Sequence, residues 1–453
     1  MAHYIVMTVP TDGHVTPTLP IVSKLVERGH DVVWLAGRKY EDRIKAIGAK
    51  FHPISEKTDC SMKGVYEFYP GVKELTGLAQ IKYYIKHMFL DCCEPQIEIL
   101  NTILADFPAD VLVGDTATLH TYFQSEITGI PSAMISLSPL MHTTDMDVAP
   151  WGLGLSPGKT YITKLRNRLL NFVVNRILLR GVTQHMNETR RKLGLQPVKD
   201  PFFMAIGKIP SLIMHVSTPA FEYHSKCRST RFHFIGPVLN KRDATYQYPA
   251  WWNDLYGEQP VILVTQGTVC TNFDDLVIPT IEGLGDQSML VVAVSFKKDQ
   301  LKEIPSNVRA ETFIPFDHLL PHVDVMVTNG GYGGTQMALA YGIPLVVAGE
   351  TEDKMEVAAR VEWSGAGINL RKKCPSPEEI KRAVKEILTN PVYMKRAKRI
   401  QTDFARYNAP QRAAELLEAL AKRELNNKYQ YGIRKIGGRR PCDRSSRRQR
   451  LQS

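Results

Sequence analysis

Short apolar segments alternate along most of the chain with segments in which apolar residues recur at helical spacing. Residues 4–9 form an apolar run that ends at Pro10, and residues 18–28 carry apolar side chains three and four positions apart. Residues 30–37, HDVVWLAG, form the next apolar run. A strand, a helix and a strand in this order predict a parallel βαβ unit with a right-handed crossover.

The same alternation returns after residue 259 and is clearest over residues 313–370. The run 323–328, VDVMVT, is typical of a strand buried on both faces. NGGYGG follows at 329–334, and residues 335–341 have a helical pattern that ends at Gly342. Glycines between a strand and a helix let backbone N–H groups bind an anion, so this segment predicts a diphosphate site.

The alternative for these glycines is a tight turn with no ligand. A dinucleotide fingerprint of the form G-x-G-x-x-G is not met, because the sixth position counted from Gly331 is Gln336. No such fingerprint follows the first strand either, which weakens the hypothesis of an oxidoreductase or epimerase built on paired dinucleotide-binding domains.

Length and composition indicate a globular protein of two domains. The chain has 453 residues, of which 43% are hydrophobic and 23% charged. The first residues lack the cationic start and long apolar core of a secretory signal, so we expect none, and no apolar run approaches the roughly 18 residues of a membrane helix. The seven cysteines include no C-x-x-C pair, so we expect a reduced, cytoplasmic protein without a metal site.

The net charge of +11 is concentrated at the C-terminus, where residues 426–453 contain nine Lys and Arg against one Asp. This segment lacks apolar periodicity and is predicted to be a disordered basic tail. It is either a solvated appendage or a weak tether to RNA or membrane. We expect no specific nucleic-acid partner.

The stretch 313–370 resembles the donor-binding motif of GT-B glycosyltransferases, especially the soluble microbial and fungal enzymes that glycosylate natural products. The resemblance implies an α/β protein with two Rossmann-like, doubly wound domains facing each other across a cleft. The acceptor domain would span residues 1–238, the linker 239–258 and the nucleotide-sugar domain 259–425, with its last helix returning to the N-terminal domain. A UDP-sugar would be the co-substrate, without cofactor or metal, and we expect a monomer.

The resemblance also implies which residues bind the donor. Phe313 matches the aromatic residue that stacks on the base, and Asn329 matches a histidine that contacts the phosphates. Asp353 and Lys354 match an acidic residue and a glutamine that hold the sugar hydroxyls, whereas the ribose-binding acid of the family falls at Met337. The predicted donor-binding residues are Gln266, Gly267, Thr268, Phe313, Asn329, Gly331, Gly333, Gly334, Thr335, Asp353 and Lys354.

Two further residues are predicted to be catalytic. From the sequence alone, a histidine in a polar loop is more often ordinary than catalytic. GHVTP, which contains His14, matches the family motif G-H-x-x-P, however, and the resemblance implies that His14 is the general base. An imidazole with a pKa near ~6.5 can take a proton from a phenol or alcohol. Asp115 follows the apolar run 110–114, and it either supports the histidine or caps a helix. Both predicted strands should end at one sheet edge, which would bring the two side chains together.

Aromatic and sulfur-containing residues are frequent over 60–105 and 136–151, where the family lines its acceptor pocket. Core packing explains the same residues, and residues 164–191 are predicted to form one long amphipathic helix. We expect an inverting hexosyltransferase that moves glucose from UDP-glucose to a small lipophilic acceptor such as a phenol or flavonoid. A sterol or lipid acceptor, or a silent nucleotide-sugar-binding relative, remains the alternative.

Overall fold

The computed structural model describes residues 1–141, 145–223, 230–239, 245–267, 272–294 and 304–436, and only the backbone of residues 423–436. Within these residues the chain forms two parallel β-sheets, each covered by helices on both faces. None of the helices in the described ranges has the length and apolar content needed to cross a membrane.

The N-terminal domain is built on a seven-stranded parallel sheet in the order β3-β2-β1-β4-β5-β6-β7. Short π-helical segments at Tyr84–Leu90 and Val173–Leu178 connect some of its helices. The described elements are β1 (His3–Met7), α1 (Asp12–Glu27), β2 (Asp31–Ala36), α2 (Glu41–Ala46), β3 (Lys50–Pro53), α3 (Val65–Phe68), α4 (Gly77–Tyr83), α5 (Cys93–Asp106), β4 (Val111–Asp115), α6 (Leu119–Thr128), β5 (Ser132–Ser136), α7 (Tyr161–Phe172), α8 (Arg180–Lys192), α9 (Phe202–Ile206), β6 (Leu212–His215) and β7 (Phe232–Phe234).

The C-terminal domain repeats the architecture with six parallel strands in the order β10-β9-β8-β11-β12-β13. Its central strands carry Val, Ile, Leu and Met on both faces and are fully buried. The described elements are β8 (Val261–Thr265), α10 (Val277–Leu284), β9 (Leu290–Val294), β10 (Val308–Glu311), α11 (Phe316–Leu319), β11 (Val325–Thr328), α12 (Tyr332–Ala340), β12 (Leu345–Val347), α13 (Lys354–Ser364), β13 (Gly367–Asn369), α14 (Pro377–Thr389), α15 (Pro391–Phe404) and α16 (Ala409–Ile436).

In each sheet the order of the strands reverses at one point, between β1 and β4 in the first and between β8 and β11 in the second. Ligands of doubly wound sheets bind beyond the carboxyl ends of the strands at this switch point. The predicted pair of doubly wound α/β domains is confirmed, and the two switch points indicate where a site should be sought.

The last helix, α16, packs on the N-terminal domain. The apolar core around β1, β2 and β4 includes Ala409, Ala413, Ala414, Leu417 and Ala421 of this helix. Glu418 accepts hydrogen bonds from Arg28 Nε at 2.7 Å and from His30 Nε2 at 2.9 Å. The backbone of this helix continues to Ile436, which overlaps the segment predicted to be disordered from residue 426; residues 437–453 lie outside the described ranges.

Three helices begin or break at places that the sequence pattern did not give. Helix α1 starts at Asp12 rather than residue 18 and includes Pro17 as well as Pro20. Helix α12 starts at Tyr332 rather than residue 335, because its glycines form the first turn. The helix predicted over 164–191 is broken between α7 and α8 by the π segment Val173–Leu178.

A buried polar network joins the two domains. Arg360 on α13 donates from Nε to Glu222 Oε2 at 2.7 Å and from Nη1 to Glu356 Oε2 at 3.0 Å. The hydroxyl of Tyr332, in the first turn of α12, donates to Glu222 Oε1 at 2.7 Å and lies 3.3 Å from His215 Nε2. All five side chains are buried. Burial raises the pKa of Glu222, but Arg360 and His215 outweigh it and bring that pKa to about 2.

The same network reaches the loop after β5. Glu356 Oε1 accepts hydrogen bonds from the backbone N–H groups of Gly152 and Gly154, each at 2.9 Å. Gly154 has a φ of +59°, and a Cβ there would lie 2.9 Å from the carbonyl oxygen of Met355, so this contact between the domains requires glycine.

We predict that Arg360→Met destabilises the protein strongly, because it leaves the buried carboxylates of Glu222 and Glu356 without their cation. Removing one partner of a buried pair costs about 3–5 kcal/mol. Arg371→Met is the matched control, since Arg371 is 61% exposed in its pair with Glu362, and such pairs are worth about 0–1 kcal/mol. Urea unfolding at pH 7 measures both free energies of unfolding.

The difference in free energy of unfolding between wild type and Arg360→Met should become smaller in acid. The pKa of Glu222 is about 2 in the folded protein, against an ordinary 4.5. Its contribution to the free energy of unfolding is therefore complete above about pH 4.5 and is lost as the pH falls toward 2. Equal destabilisation by the two arginine substitutions would contradict this account of the domain interface.

Candidate active site

His14 and Asp115 meet at the switch point of the N-terminal sheet. His14 lies in the first turn of α1, which follows β1, and Asp115 is the last residue of β4. The two strands are neighbours, so their carboxyl ends share one edge, and His14 Nδ1 lies 2.9 Å from Asp115 Oδ2. The proximity that was expected from the sequence is therefore present, although His14 belongs to the helix rather than to the loop before it.

Asp115 is fully buried and is not a helix cap. Its Oδ2 accepts from the backbone N–H of Val9 at 2.7 Å, and its Oδ1 accepts from those of Ala117 at 2.8 Å and Thr118 at 3.1 Å. Burial raises the pKa of Asp115, but the charge of His14 and these hydrogen bonds lower it below its ordinary value. An ionised Asp115 is thus held in one orientation.

The carboxylate determines the state of the imidazole. Because Asp115 Oδ2 can only accept, His14 Nδ1 carries the hydrogen and Nε2 is left with a lone pair in the neutral form. Burial lowers the pKa of His14, whereas the charge and hydrogen bond of Asp115 raise it, and the net pKa lies above the ordinary 6.5. The side chain is 28% exposed. A partly exposed imidazole oriented by a buried carboxylate can serve as a general base.

An apolar cluster adjoins this pair. Val9 and Ala117, whose N–H groups bind Asp115, pack with Cys60 and Met88. The partly buried residues around this cluster come from the aromatic-rich segment singled out in the sequence: Val65, Phe68, Tyr69, Tyr84 and Phe89. An apolar cluster therefore lies beside the His14–Asp115 pair.

The glycine-rich loop lies at the switch point of the C-terminal sheet. Gly330, with a φ of +87°, follows β11, and Gly331 is the N-cap of α12. A Cβ on Gly331 or Gly333 would have no neighbour within 4 Å, so this backbone is open. The first N–H groups of a helix have no partner within it and attract anions. The hydroxyl oxygen of Thr335 is buried and has no hydrogen-bond partner in the described structure.

Polar residues directly after β8 and β11 connect the loops that follow these two strands. The Asn329 amide donates to the backbone carbonyl of Gln266. The Gln266 side chain donates to Asn272 O at 2.7 Å, and its Oε1 accepts from the N–H groups of Leu276 and Val277 at the start of α10. Gln266, predicted to bind the donor, therefore supports a helix N-terminus with its side chain. Gly267 beside it has a φ of +72°, and Thr268 lies outside the described residues.

Asp353, in the acidic loop before α13, lies close enough to His14 for the two side chains to shift each other's pKa. Burial raises the pKa of Asp353 to about 6, against the opposing charges of Lys354 and His14, and Asp353 in turn raises the pKa of His14. Glu352 has a φ of +56°, and its N–H donates to Gln80 Oε1 of the N-terminal domain at 3.1 Å. The loop thus bridges the domains in a strained conformation.

Lys354 is turned toward its own loop. Its ammonium pairs with Glu352 and donates to Thr351 Oγ1 at 3.2 Å, and the side chain is 7% exposed. Asp353 is only half buried by surface area, and it is therefore the more accessible residue of the predicted pair.

One group of possible metal ligands was not predicted from the sequence. Cys92, Cys93 and His120 are buried, with ligand atoms within 4.8 Å of one another. Two adjacent cysteines and a distant histidine do not form a C-x-x-C pair or another common metal-site spacing. Both thiols lie 3.3 Å from the carbonyl of Phe89 one turn earlier, and this helix contact accounts for their orientation.

Comparison with known proteins identifies the family. Residues 4–94 match the glycosyltransferase family 28 N-terminal domain, and residues 281–420 match the erythromycin biosynthesis protein CIII-like C-terminal domain. 4'-Demethylrebeccamycin synthase of Lentzea aerocolonigenes is 39% identical over 419 residues, which cover 92% of this chain and 99% of that protein. The chain belongs to the natural-product UDP-glycosyltransferases. UDP-glycosyltransferase 2 of Phaeomoniella chlamydospora is 30% identical over 438 residues, 92% of this chain and 96% of that protein.

Solved structures agree on the fold of this glycosyltransferase. The calicheamicin glycosyltransferase CalG4 superposes with a TM-score of 0.71 at 22% identity and covers 93% of this chain and 99% of its own. A spinosyn rhamnosyltransferase complexed with thymidine diphosphate gives 0.64 at 15% identity and covers 92% and 99%. The fold is GT-B, and the enzyme transfers a sugar from a nucleotide sugar to an acceptor.

Phe313 is 64% exposed, so its ring is accessible to a ligand. We predict that Phe313→Ala weakens UDP binding roughly 5- to 150-fold, because base stacking on an aromatic ring is worth about 1–3 kcal/mol. Tyr256→Ala is the control, since Tyr256 is 68% exposed in the same half of the chain. Calorimetric titration with UDP measures both affinities, and an unchanged affinity in Phe313→Ala would remove this residue from the donor site.

Proposed function

We propose that this glycosyltransferase moves glucose from UDP-glucose to the hydroxyl group of a small lipophilic acceptor, most readily a phenol, with inversion at the anomeric carbon. The observation that carries the proposal is the His14–Asp115 pair at one switch point, with Asp353 of the opposite domain close enough to perturb the pKa of His14. A cytoplasmic location belongs to the same proposal and rests on the cysteine usage.

The proposed reaction is a single displacement. His14 Nε2 takes the proton of the acceptor hydroxyl as its oxygen forms a bond to the anomeric carbon. The bond from that carbon to the phosphate oxygen breaks, and UDP leaves with the electron pair. Asp115 stabilises the imidazolium that forms, as an oriented carboxylate does in a hydrolase triad. A single displacement converts an α-linked donor into a β-glycoside.

The leaving group is assigned to the C-terminal domain. The open backbone of Gly331 and Gly333 at the N-terminus of α12 suits a diphosphate. The amide of Asn329 holds the end of β8 beside this loop. A related fold is known with thymidine diphosphate, and relatives from Starmerella bombicola and Beauveria bassiana are named UDP-glucosyltransferases, which supports a nucleoside diphosphate and glucose.

Asp353 is assigned to the sugar. Its carboxylate is half buried, is not paired with the neighbouring lysine as Glu352 is, and lies near the catalytic imidazole. A carboxylate in that position accepts hydrogen bonds from sugar hydroxyls while His14 acts on the acceptor. The apolar cluster around Met88 supports a flat lipophilic acceptor.

The test is mass spectrometry of products formed by the purified full chain with UDP-glucose, other UDP-hexoses and thymidine-diphosphate glucose, each with a panel of phenols and sterols. We expect a one-hexose increment on a phenol with UDP-glucose. His14→Ala should lower turnover roughly 10²- to 10⁴-fold while leaving UDP binding intact.

His3→Ala is the matched control, because His3 lies at the opposite end of β1, where it contacts Asp31 and Pro108. It should keep wild-type turnover. Donor binding without any product would favour a silent binding protein, and unchanged turnover in His14→Ala would require another base.

A further inference from the structure

The exposed face of α7 is apolar. Tyr161, Ile162, Leu165, Leu169 and Phe172 have 79%, 78%, 56%, 62% and 58% of their surface exposed. At 3.6 residues per turn these positions fall within about 100° of the helix circumference. Single exposed apolar residues are normal on a protein surface, but a continuous stripe marks a contact surface.

The buried face of α7 is polar, which reverses the usual orientation of an amphipathic helix. Asn167 and Asn171 are buried, and their amides donate to the backbone carbonyls of Asp147 at 2.8 Å and Val148 at 2.7 Å. Hydrogen bonds therefore hold the helix on the domain. Its apolar side chains are left to face outward rather than into the core.

Cations border the apolar stripe. Residues 159–180 contain six Lys and Arg and no Asp or Glu. Lys164 and Arg168 share the carboxylate of Asp147, whereas no ion pair within the described residues involves Arg166, Arg176 or Arg180. An apolar face flanked by basic residues is the composition of helices that lie in the surface of anionic membranes.

The charges argue against a second copy of this chain as the occupant. A two-fold interface would place the stripe of one molecule against the same stripe of another, with its unpaired arginines facing each other. An anionic lipid surface offers opposite charge and an apolar layer together.

We propose that α7 docks this glycosyltransferase onto an anionic membrane surface, with Tyr161, Ile162, Leu165, Leu169 and Phe172 inserted among the lipids and the flanking arginines at the phosphates. The helix is tied to the loop whose glycines bind Glu356 at the domain interface. Docking would bring the enzyme to an acceptor dissolved in the membrane. This purpose rests on the proposed function, whereas the docking itself does not.

Flotation of the full chain with lipid vesicles tests the proposal. We expect binding to phosphatidylcholine vesicles that contain phosphatidylglycerol, and little binding to phosphatidylcholine alone. The variant Ile162→Ser/Leu165→Ser/Leu169→Ser should lower the partition coefficient at least roughly tenfold, since each substitution removes apolar surface from the lipid. Arg166→Gln/Arg176→Gln should weaken binding selectively to the anionic vesicles.

The matched control is Met62→Ser/Ile127→Ser/Val392→Ser, which removes three exposed apolar side chains from other surfaces. It should float like wild type. Undiminished flotation of the α7 variant would overturn the proposal, as would a wild-type dimer that the same variant dissociates in light scattering. Turnover with a water-soluble acceptor should be equal in wild type and in the α7 variant, which separates failure of docking from failure of the proposed reaction.

Discussion

The buried contact between Arg360 and Glu222 is the interaction on which the relation between the two domains depends. Charged groups are costly to bury, and here each is compensated by a partner from the opposite domain or from its own helix. The hydroxyl of Tyr332, in the first turn of the glycine-rich helix, donates a hydrogen bond to Glu222. Glu356 accepts hydrogen bonds from the backbone N–H groups of Gly152 and Gly154. The loop assigned to the diphosphate and the loop after β5 in the N-terminal domain are therefore fixed to one polar network.

The second constraint is the edge at which parallel strands end. Each sheet reverses its strand order once, so the residues after β1 and β4, and those after β8 and β11, must converge. The N-terminal edge carries His14 and Asp115, and the C-terminal edge carries Asn329 and the glycines. One fold is used twice, with an oriented imidazole at one switch point and an open helix N-terminus at the other. The combination is what transfer between two bound substrates requires.

The strands and the meeting of their ends could be predicted from the sequence. Apolar runs are local patterns, and neighbouring parallel strands end at the same edge of a sheet. The proximity of His14 and Asp115 needed only two neighbouring parallel strands. The features that could not be predicted from the sequence have physical causes. The first turns of α1 carry Gly13 and Pro17, which are poor helix formers, so propensity does not indicate its start. The bonds of the Gln266 side chain to the start of α10 were not predicted, since an amide suits a helix contact as well as a ligand contact. Glu222 and Arg360 are 138 residues apart, and no periodicity connects them. The inverted face of α7 shows no anomaly in sequence, because an amphipathic pattern does not say which side is buried.

The central claim is that His14 removes the proton of the acceptor hydroxyl during transfer. The most direct measurement is the ratio of wild-type to His14→Ala transfer rates at one pH over a series of phenols of decreasing hydroxyl pKa. A general base matters most when the acceptor holds its proton tightly, so the ratio should be largest, roughly 10² to 10⁴, for weakly acidic phenols. It should fall toward one for phenols that are already ionised. A ratio that stays the same across the series would contradict the account and leave His14 with a structural role alone.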